Sequence, residues 1–503
     1  MPGAETVHCR VLVRSGSIDE GPDLGSGLSH FLEHMVFHGT KSFPGSADIS
    51  ERVESCGGNL NACTSYDYTC YYMNLPSAHA ADGLRMLCDM MRFPLFPAGK
   101  FRSEKNVILR ECAMCRDNPD EVLYEALMEE IHRESPLRIP IIGVPDELGK
   151  VTRERMAACF RRRYSPERML FVATGKIDAD ALRKVLLEAT DGWTAETRVE
   201  SPIPPEPPQR GERVRDISFP DPMARVAIGW SVPAATHPDH PALILLAEIL
   251  GGGISSRLYR ALKTDSMLVS SVYADMDDYL PESLFLAHMT LRPENLEEAM
   301  RVLDKTFDDI RRIPVSQREL ARAVAQEETD AIRRLDSPEG VAREICECML
   351  RFGSLRANDW RLNAIRSLSP GDLQAAAERW LAASAMTVVR MRPPEAKNKK
   401  GIRRSARQEP APPLFRAANG GRSIFLPDKS LPLIDVALFL PGARAFEQED
   451  ESGFSQLISR LLFADNARYR EAELAALLDD HAIALSVVPG NNSVILSANC
   501  ARG

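Results

Sequence analysis

The sequence predicts an α+β protein of repeated domains, each a mostly antiparallel sheet covered by helices on one face. Three observations predict it. A strand-like segment followed by an amphipathic helix recurs at three places along the chain. Two proline-rich stretches, 201–211 and 392–413, lie between the copies and lack apolar periodicity, as linkers do. Strand-like runs are bundled apart from long helical patterns. The expected segments are 1–203, 212–393 and 412–503.

The first segment opens with the strand CRVLVRSGSIDE and continues into the helix GSGLSHFLEHMVFHGT. FRSEKNVILRECAMCRD, 101–117, is a second helical pattern, and Cys159 to Ile177 reads as helix, Tyr-Ser-Pro turn and strand. The second segment places the strand ARVAIGWSVPAA before a helix, ALILLAEILGGGISSRLYRAL, 242–262. Ala321 to Leu335 and Ser369 to Ala383 follow as amphipathic helices, and AMTVVRM as a strand. The third segment begins with IDVALFLPGARAFEQED and then ESGFSQLISRLLF. Aligning Gly453 with Gly27 puts Gln456, Ser459 and Arg460 where the first copy has His30, Glu33 and His34. The helix survives and its polar triad does not. By this alignment Asn499 falls on the counterpart of the strand CYYMNL, and a domain stopping there leaves sheet edges unpaired. The chain therefore reads as a fragment of something longer, with a start that also looks clipped.

Bulk properties narrow the function. A hydrophobic fraction of 44% and a charged fraction of 26% are ordinary for a globular chain. A formal net charge of -9 argues against a nucleic-acid partner. No run approaches the roughly 20 apolar residues of a membrane span. No signal peptide is visible, so the default compartment is the cytoplasm. The 11 cysteines are scattered through helices and strands, which suits reduced thiols better than a disulfide framework. Cys112 and Cys115 have CxxC spacing, but no second pair accompanies them and they fall mid-helix, which argues against a metal or redox site. The basic run Lys397, Lys399, Lys400, Arg403, Arg404 and Arg407 reads as a solvated linker before a docking patch.

The chemistry concentrates in HFLEH. His30, Glu33 and His34 lie at i, i+3 and i+4, which spans an arc of about 100° on a helix. Leu28, Phe31, Leu32, Met35 and Val36 fall on the opposite arc. Two imidazoles one turn apart can bind one zinc ion, and the intervening carboxylate can reach a water on it, the inverse of the HExxH order. His38 continues the same face as a supporting or helix-end residue. A catalytic zinc usually takes a third protein ligand. Glu104 and Glu111, two turns apart, share a face with Ile108 and Cys115, while Val107, Leu109 and Met114 point elsewhere and are free to pack.

HFLEHMVFHGTKSFP, GGNLNACTSYDYTCYYMNLP, EKNVILRECAM and PIIG at Pro140 to Gly143 together resemble the insulinase–pitrilysin family of metallopeptidases, which includes the mitochondrial processing peptidases. The resemblance runs through the first segment and, more loosely, the rest. It implies similar α+β domains in two halves and one zinc per chain on His30, His34 and Glu111, since 76 residues separate His34 from Glu111 as in the family. It implies a supporting role for Glu104 and an edge strand at Asn61 and Ala62 that holds substrate backbone. The family's second half supplies an arginine and a tyrosine that no residue here can be assigned.

The implied reaction is zinc-dependent hydrolysis of extended peptides or small unfolded proteins, with Glu33 as general base and Glu104 orienting a histidine. Strand addition at Asn61 would make recognition weakly dependent on sequence. A partner subunit or second half is expected to close the chamber. Two other readings stand beside it: a non-catalytic binding or structural subunit, and a zinc-binding fragment that turns over poorly.

Overall fold

The computed structural model describes residues 5–45, 48–194 and 203–394 throughout, and parts of 414–501. Residues 1–396 form one compact unit and 397–503 another. Residues 395–413 of the second proline-rich stretch, with its basic run, lie outside the described residues.

The first sheet contains β1 (Thr6–Val13), β2 (Asn59–Thr64), β3 (Thr69–Pro76) and β4 (Met169–Gly175), in the order β2-β3-β1-β4 and antiparallel throughout. The helices along this stretch of chain are α1 (Leu28–Val36), α2 (Asp48–Ser55), α3 (Ala80–Arg92), α4 (Ala98–Asp117), α5 (Pro119–Ile131), α6 (Pro145–Lys150), α7 (Arg153–Arg163) and α8 (Ala179–Thr190). Alternate residues of β1, Val7, Cys9, Val11 and Val13, face one side of the sheet. They are buried with Leu28, Phe31, Leu32 and Met35 of α1 and Leu84, Leu87 and Met91 of α3.

The second sheet contains β5 (Arg213–Ser218), β6 (Ala224–Val232), β7 (Val269–Asp278), β8 (Ser283–Leu291) and β9 (Thr387–Arg392) in the order β5-β9-β6-β8-β7. Reading β7-β8-β6-β9 reproduces β2-β3-β1-β4, with β5 added in parallel to β9. The accompanying helices are α9 (His240–Gly251), α10 (Leu296–Arg312), α11 (Gln317–Arg334), α12 (Pro338–Phe352), α13 (Ala357–Ser367) and α14 (Pro370–Trp380). Trp230 anchors this core against Phe307, ring centroids 4.8 Å apart.

Three local features differ from the sequence reading. The helix expected over 242–262 stops at Gly251, and a single π-helical stretch, Tyr259–Asp265, follows. Gly253 has φ +85, and a Cβ on Gly251 would lie 1.8 Å from the Ala274 backbone nitrogen, so this corner requires glycine. Described residues 203–211 are not a free linker. The Glu206 carboxylate accepts from the backbone N–H groups of Arg133, Glu134 and Ser135 at 2.7–2.9 Å, and Gln209 Nε2 donates to Met386 O at 2.8 Å. Burial alone would raise the Glu206 pKa, but the three N–H groups outweigh it and hold it low. Finally, the second face of the first sheet is covered by α12. Leu12 and Val172 are buried with Ala342, Cys346 and Leu350, and Thr174 Oγ1 donates to Pro338 O at 2.6 Å.

The second unit has a hairpin of β10 (Leu414–Arg416) and β11 (Arg422–Ile424), and a sheet of β12 (Leu433–Pro441), β13 (Ala484–Pro489) and β14 (Ser493–Ala501) in the order β12-β14-β13. This repeats β1-β3-β2 down to the register. Asn499 pairs with Asp435 and Ala484, as Asn74 pairs with His8 and Asn59. Gly453, in the left-handed region at φ 91, precedes α15 (Phe454–Leu461), as Gly27 at φ 62 precedes α1. Among the described residues no helix is long and apolar enough to cross a membrane.

Candidate active site

The site is built on α1, and the local sequence explains why the helix starts where it does. Gly27 and Gly143 meet back to back. A Cβ on Gly27 would lie 2.1 Å from Ile142 O, and one on Gly143 2.4 Å from Gly27 N, both at positive φ. The segment Pro140–Gly143 therefore fixes the start of α1. Glu20, which is buried, accepts from Ser29 N–H at 2.7 Å in the helix's first turn. Burial pushes its carboxyl up to about 7, against the opposing pull of Ser29.

From that start the 3.6-residue period turns His30, Glu33 and His34 away from the core. Their face meets α4, which brings Glu111. His30 Nε2 lies 3.9 Å from Glu111 Oε1, and His34 Nε2 lies 3.8 Å from Glu111 Oε2. One ligand atom from each of the three residues falls within 4.8 Å of the others. These separations are too long for hydrogen bonds. They are a few tenths of an ångström above the roughly 3.3–3.5 Å edge of a zinc tetrahedron. His30 is largely buried, its Nδ1 has no hydrogen-bond partner, and burial, reinforced by His34, lowers its pKa to about 4. A neutral imidazole is the ligand form. The Glu111 side chain is 41% exposed, so the trio opens to solvent on one side. Two imidazoles and a carboxylate converging without bonding one another fit a zinc ion in donor type, number and spacing.

Glu104 lies one layer behind. Its carboxylate spans His34 Nδ1 at 3.3 Å and His38 Nε2 at 3.1 Å. His38 sits just beyond the end of α1, outside the trio, and shares Glu104 with His34. Ile108 is buried on the same helix, whereas Met114, expected to pack, is 70% exposed. Cys112 and Cys115 lie in the last two turns of α4, nearer its end than the middle expected, and burial raises both thiols. Among the described residues, His30, His34 and Glu111 are the group placed to hold a metal.

Glu33 and the edge strand are joined by a residue that the sequence reading did not single out. Thr64, at the end of β2, donates its hydroxyl to Glu33 Oε2 at 2.5 Å. Burial raises the Glu33 pKa, partly offset by Thr64 and His34. The signal was present as NACT, where Ala62 and Thr64 share a strand face, but only the tertiary contact reveals the bond. Asn61 and Ala62 lie on β2, which among the described residues pairs with β3 alone. Asn61 is exposed, and its Oδ1 accepts from Ala62 N–H at 2.8 Å.

The profile described as Insulinase (Peptidase family M16) matches residues 1–144, which contain every one of these groups. The chain belongs to the insulinase family. The M16 profile described as the inactive domain matches residues 150–327. The M16 relatives include an uncharacterized zinc protease of Streptomyces coelicolor, 26% identical over 75% of this chain and 83% of its own. Another, from Bacillus subtilis, is 26% identical over 73% of this chain and 88% of its own. Among solved structures, a protease from Helicobacter pylori superposes with a TM-score of 0.72 at 23% identity, covering 78% of this chain and 95% of that one. A peptidase M16 inactive domain from Pseudomonas fluorescens gives 0.72 at 17% identity, covering 79% and 95%. Both structures share the fold of this chain.

Proposed function

We propose that this insulinase-family chain is a zinc-dependent endopeptidase acting on extended peptides or small unfolded proteins. The observation that carries this reading is the convergence of His30, His34 and Glu111 beside Glu33 on one face of α1 and α4. Catalysis is assigned to residues 1–203, with 212–393 and 412–503 as non-catalytic copies of the same plan. A partner subunit or a second half completing the chamber is part of the proposal.

His30, His34 and Glu111 would hold one zinc ion. When bound, the metal supplies Lewis acidity. Glu33 takes a proton from the attacking water and returns it to the leaving amine. Its Oε2 is engaged by Thr64, which leaves Oε1 for the proton. Glu104 fixes the His34 ring through Nδ1, so that Nε2 faces the metal position. The open side of β2 adds an extended substrate as a further strand. Asn61 releases Ala62 N–H as the substrate carbonyl takes its place.

The test is zinc content and cleavage of an unstructured peptide, measured for the full chain and for Glu33→Gln. The reading expects about one zinc per chain in both proteins and cleavage only in the first. No zinc in the full chain would sink the site, and zinc without cleavage in either protein would favour the reading of a zinc-binding fragment that turns over poorly.

A further inference from the structure

β2 carries a feature that peptide hydrolysis does not use. Cys63, between Ala62 and Thr64, stands directly opposite Cys70 of β3 in the antiparallel register. Directly opposed residues point to the same side of a sheet, with Cβ atoms about 4.5–5.5 Å apart. Cys63 is exposed and Cys70 is buried, and both are free thiols. Arg10 of β1 is on the same side, stacked over Tyr72 at 4.8 Å.

We propose that Cys63 and Cys70 form a dithiol that a peroxide closes reversibly into a cross-strand disulfide, and that closure withdraws the edge strand from substrate. Its effect on cleavage rests on the endopeptidase reading above, but formation of the bridge does not.

Three observations support it. A hydrogen bond from the Cys70 thiol, aided by the Arg10 guanidinium, lowers the Cys63 pKa against the effect of burial. Burial instead pushes Cys9, Cys88 and Cys346 up to about 12. Cys63 is exposed and Cys70 is buried, so Cys63 is the thiol of the pair that a peroxide meets first. The second thiol is already in place, which favours a disulfide over further oxidation. Finally, a disulfide needs Cβ atoms roughly 3.5–4.5 Å apart, so closure draws β2 towards β3 by about 1 Å. That displacement acts on Ala62 and on Thr64, which holds Glu33.

The chemistry balances. The Cys63 thiolate attacks hydrogen peroxide, breaking its O–O bond to give a sulfenic acid and, with a proton, one water. The Cys70 sulfur then attacks the sulfenic sulfur, losing its own proton and expelling a second water. Two thiols are oxidised and one peroxide is reduced.

The full chain is exposed to hydrogen peroxide, its free thiols are alkylated, and it is digested with chymotrypsin without reductant. Cleavage after Tyr66 or Tyr68 separates the two cysteines, so linked fragments mark the bridge. The expected result is a Cys63–Cys70 link, with peptide cleavage falling about 10- to 100-fold and returning on reduction. Cys70→Ala should cleave equally well before and after peroxide. A bridge from Cys63 to Cys56 or Cys346, or terminal oxidation of Cys63 without a bridge, overturns the proposal. A correct bridge with an unchanged cleavage rate overturns the gating. If the reduced chain does not cleave either, the endopeptidase reading fails, while the linked fragments still decide the bridge.

Discussion

Thr64 donates its hydroxyl to Glu33 Oε2 across 2.5 Å, which ties the last residue of the edge strand to the carboxylate on α1. Thr64→Val should leave zinc content intact and lower kcat by about 10- to 100-fold, because a mispositioned base loses transition-state stabilisation. KM should change little, and Thr64→Ser should recover most of the rate. Steady-state kinetics on an unstructured peptide with parallel metal analysis checks all three. A rise in KM alone would mean that Thr64 serves binding and not the base.

Glu104 spans His34 and His38 without joining the trio. Glu104→Ala should weaken zinc affinity by about 10- to 100-fold without abolishing it, as loss of a supporting carboxylate does. Glu111→Ala should abolish stable binding. Competition against a chelator of known affinity ranks the two variants, and equal losses would contradict the division of roles.

The Gly27–Gly143 contact leaves no room for a side chain. A Cβ on Gly143 would sit 2.4 Å from Gly27 N at a φ of +81. Gly143→Ala should destabilise the chain by about 1–3 kcal/mol or more, the cost of strained backbone before any steric clash is added. The displaced α1 start should also reduce zinc content. Denaturant midpoints read the first effect and metal analysis the second.

Away from the site, Arg257 donates from Nε and Nη2 to Glu319 at 2.7 and 3.1 Å, and chiefly this holds the Glu319 carboxyl at about 2. A carboxylate lowered on folding stabilises fully above its unfolded pKa and loses that effect as pH falls through the folded one. Glu319→Gln should therefore be less stable by on the order of 1–3 kcal/mol above about pH 4.5, with the gap closing towards pH 2. Urea midpoints across that window test the sign.

What the sequence disclosed follows how local each feature is. His30, Glu33 and His34 were legible because one helical period fixes their shared face. Glu111 was legible only through its family spacing, since nothing local singles it out from Glu104. Thr64, Glu20 and the shared use of Glu104 by His38 were hidden because each depends on packing between elements distant in the chain. The break after Gly251 was written in three glycines, but the apolar pattern on either side masked it. Glu206 looked like linker composition because its three partners lie some 70 residues earlier.

The coverage of the first sheet by α12 bears on what "inactive" means here. Arg14 reaches across to Met349 O at 2.7 Å, and the turn after β2 is held by buried Asp67 against Arg351 at 3.3 Å. The hairpin that presents the edge strand is therefore cast against a mould supplied by residues beyond 338. A gene fragment encoding only the first 200 residues would expose Leu12 and Val172 to water and leave Asp67 without its countercharge. Selection on the α1–α4 site should thus reach into the second segment, at positions that never approach His30, His34 or Glu111, and the two segments should be inherited as one module.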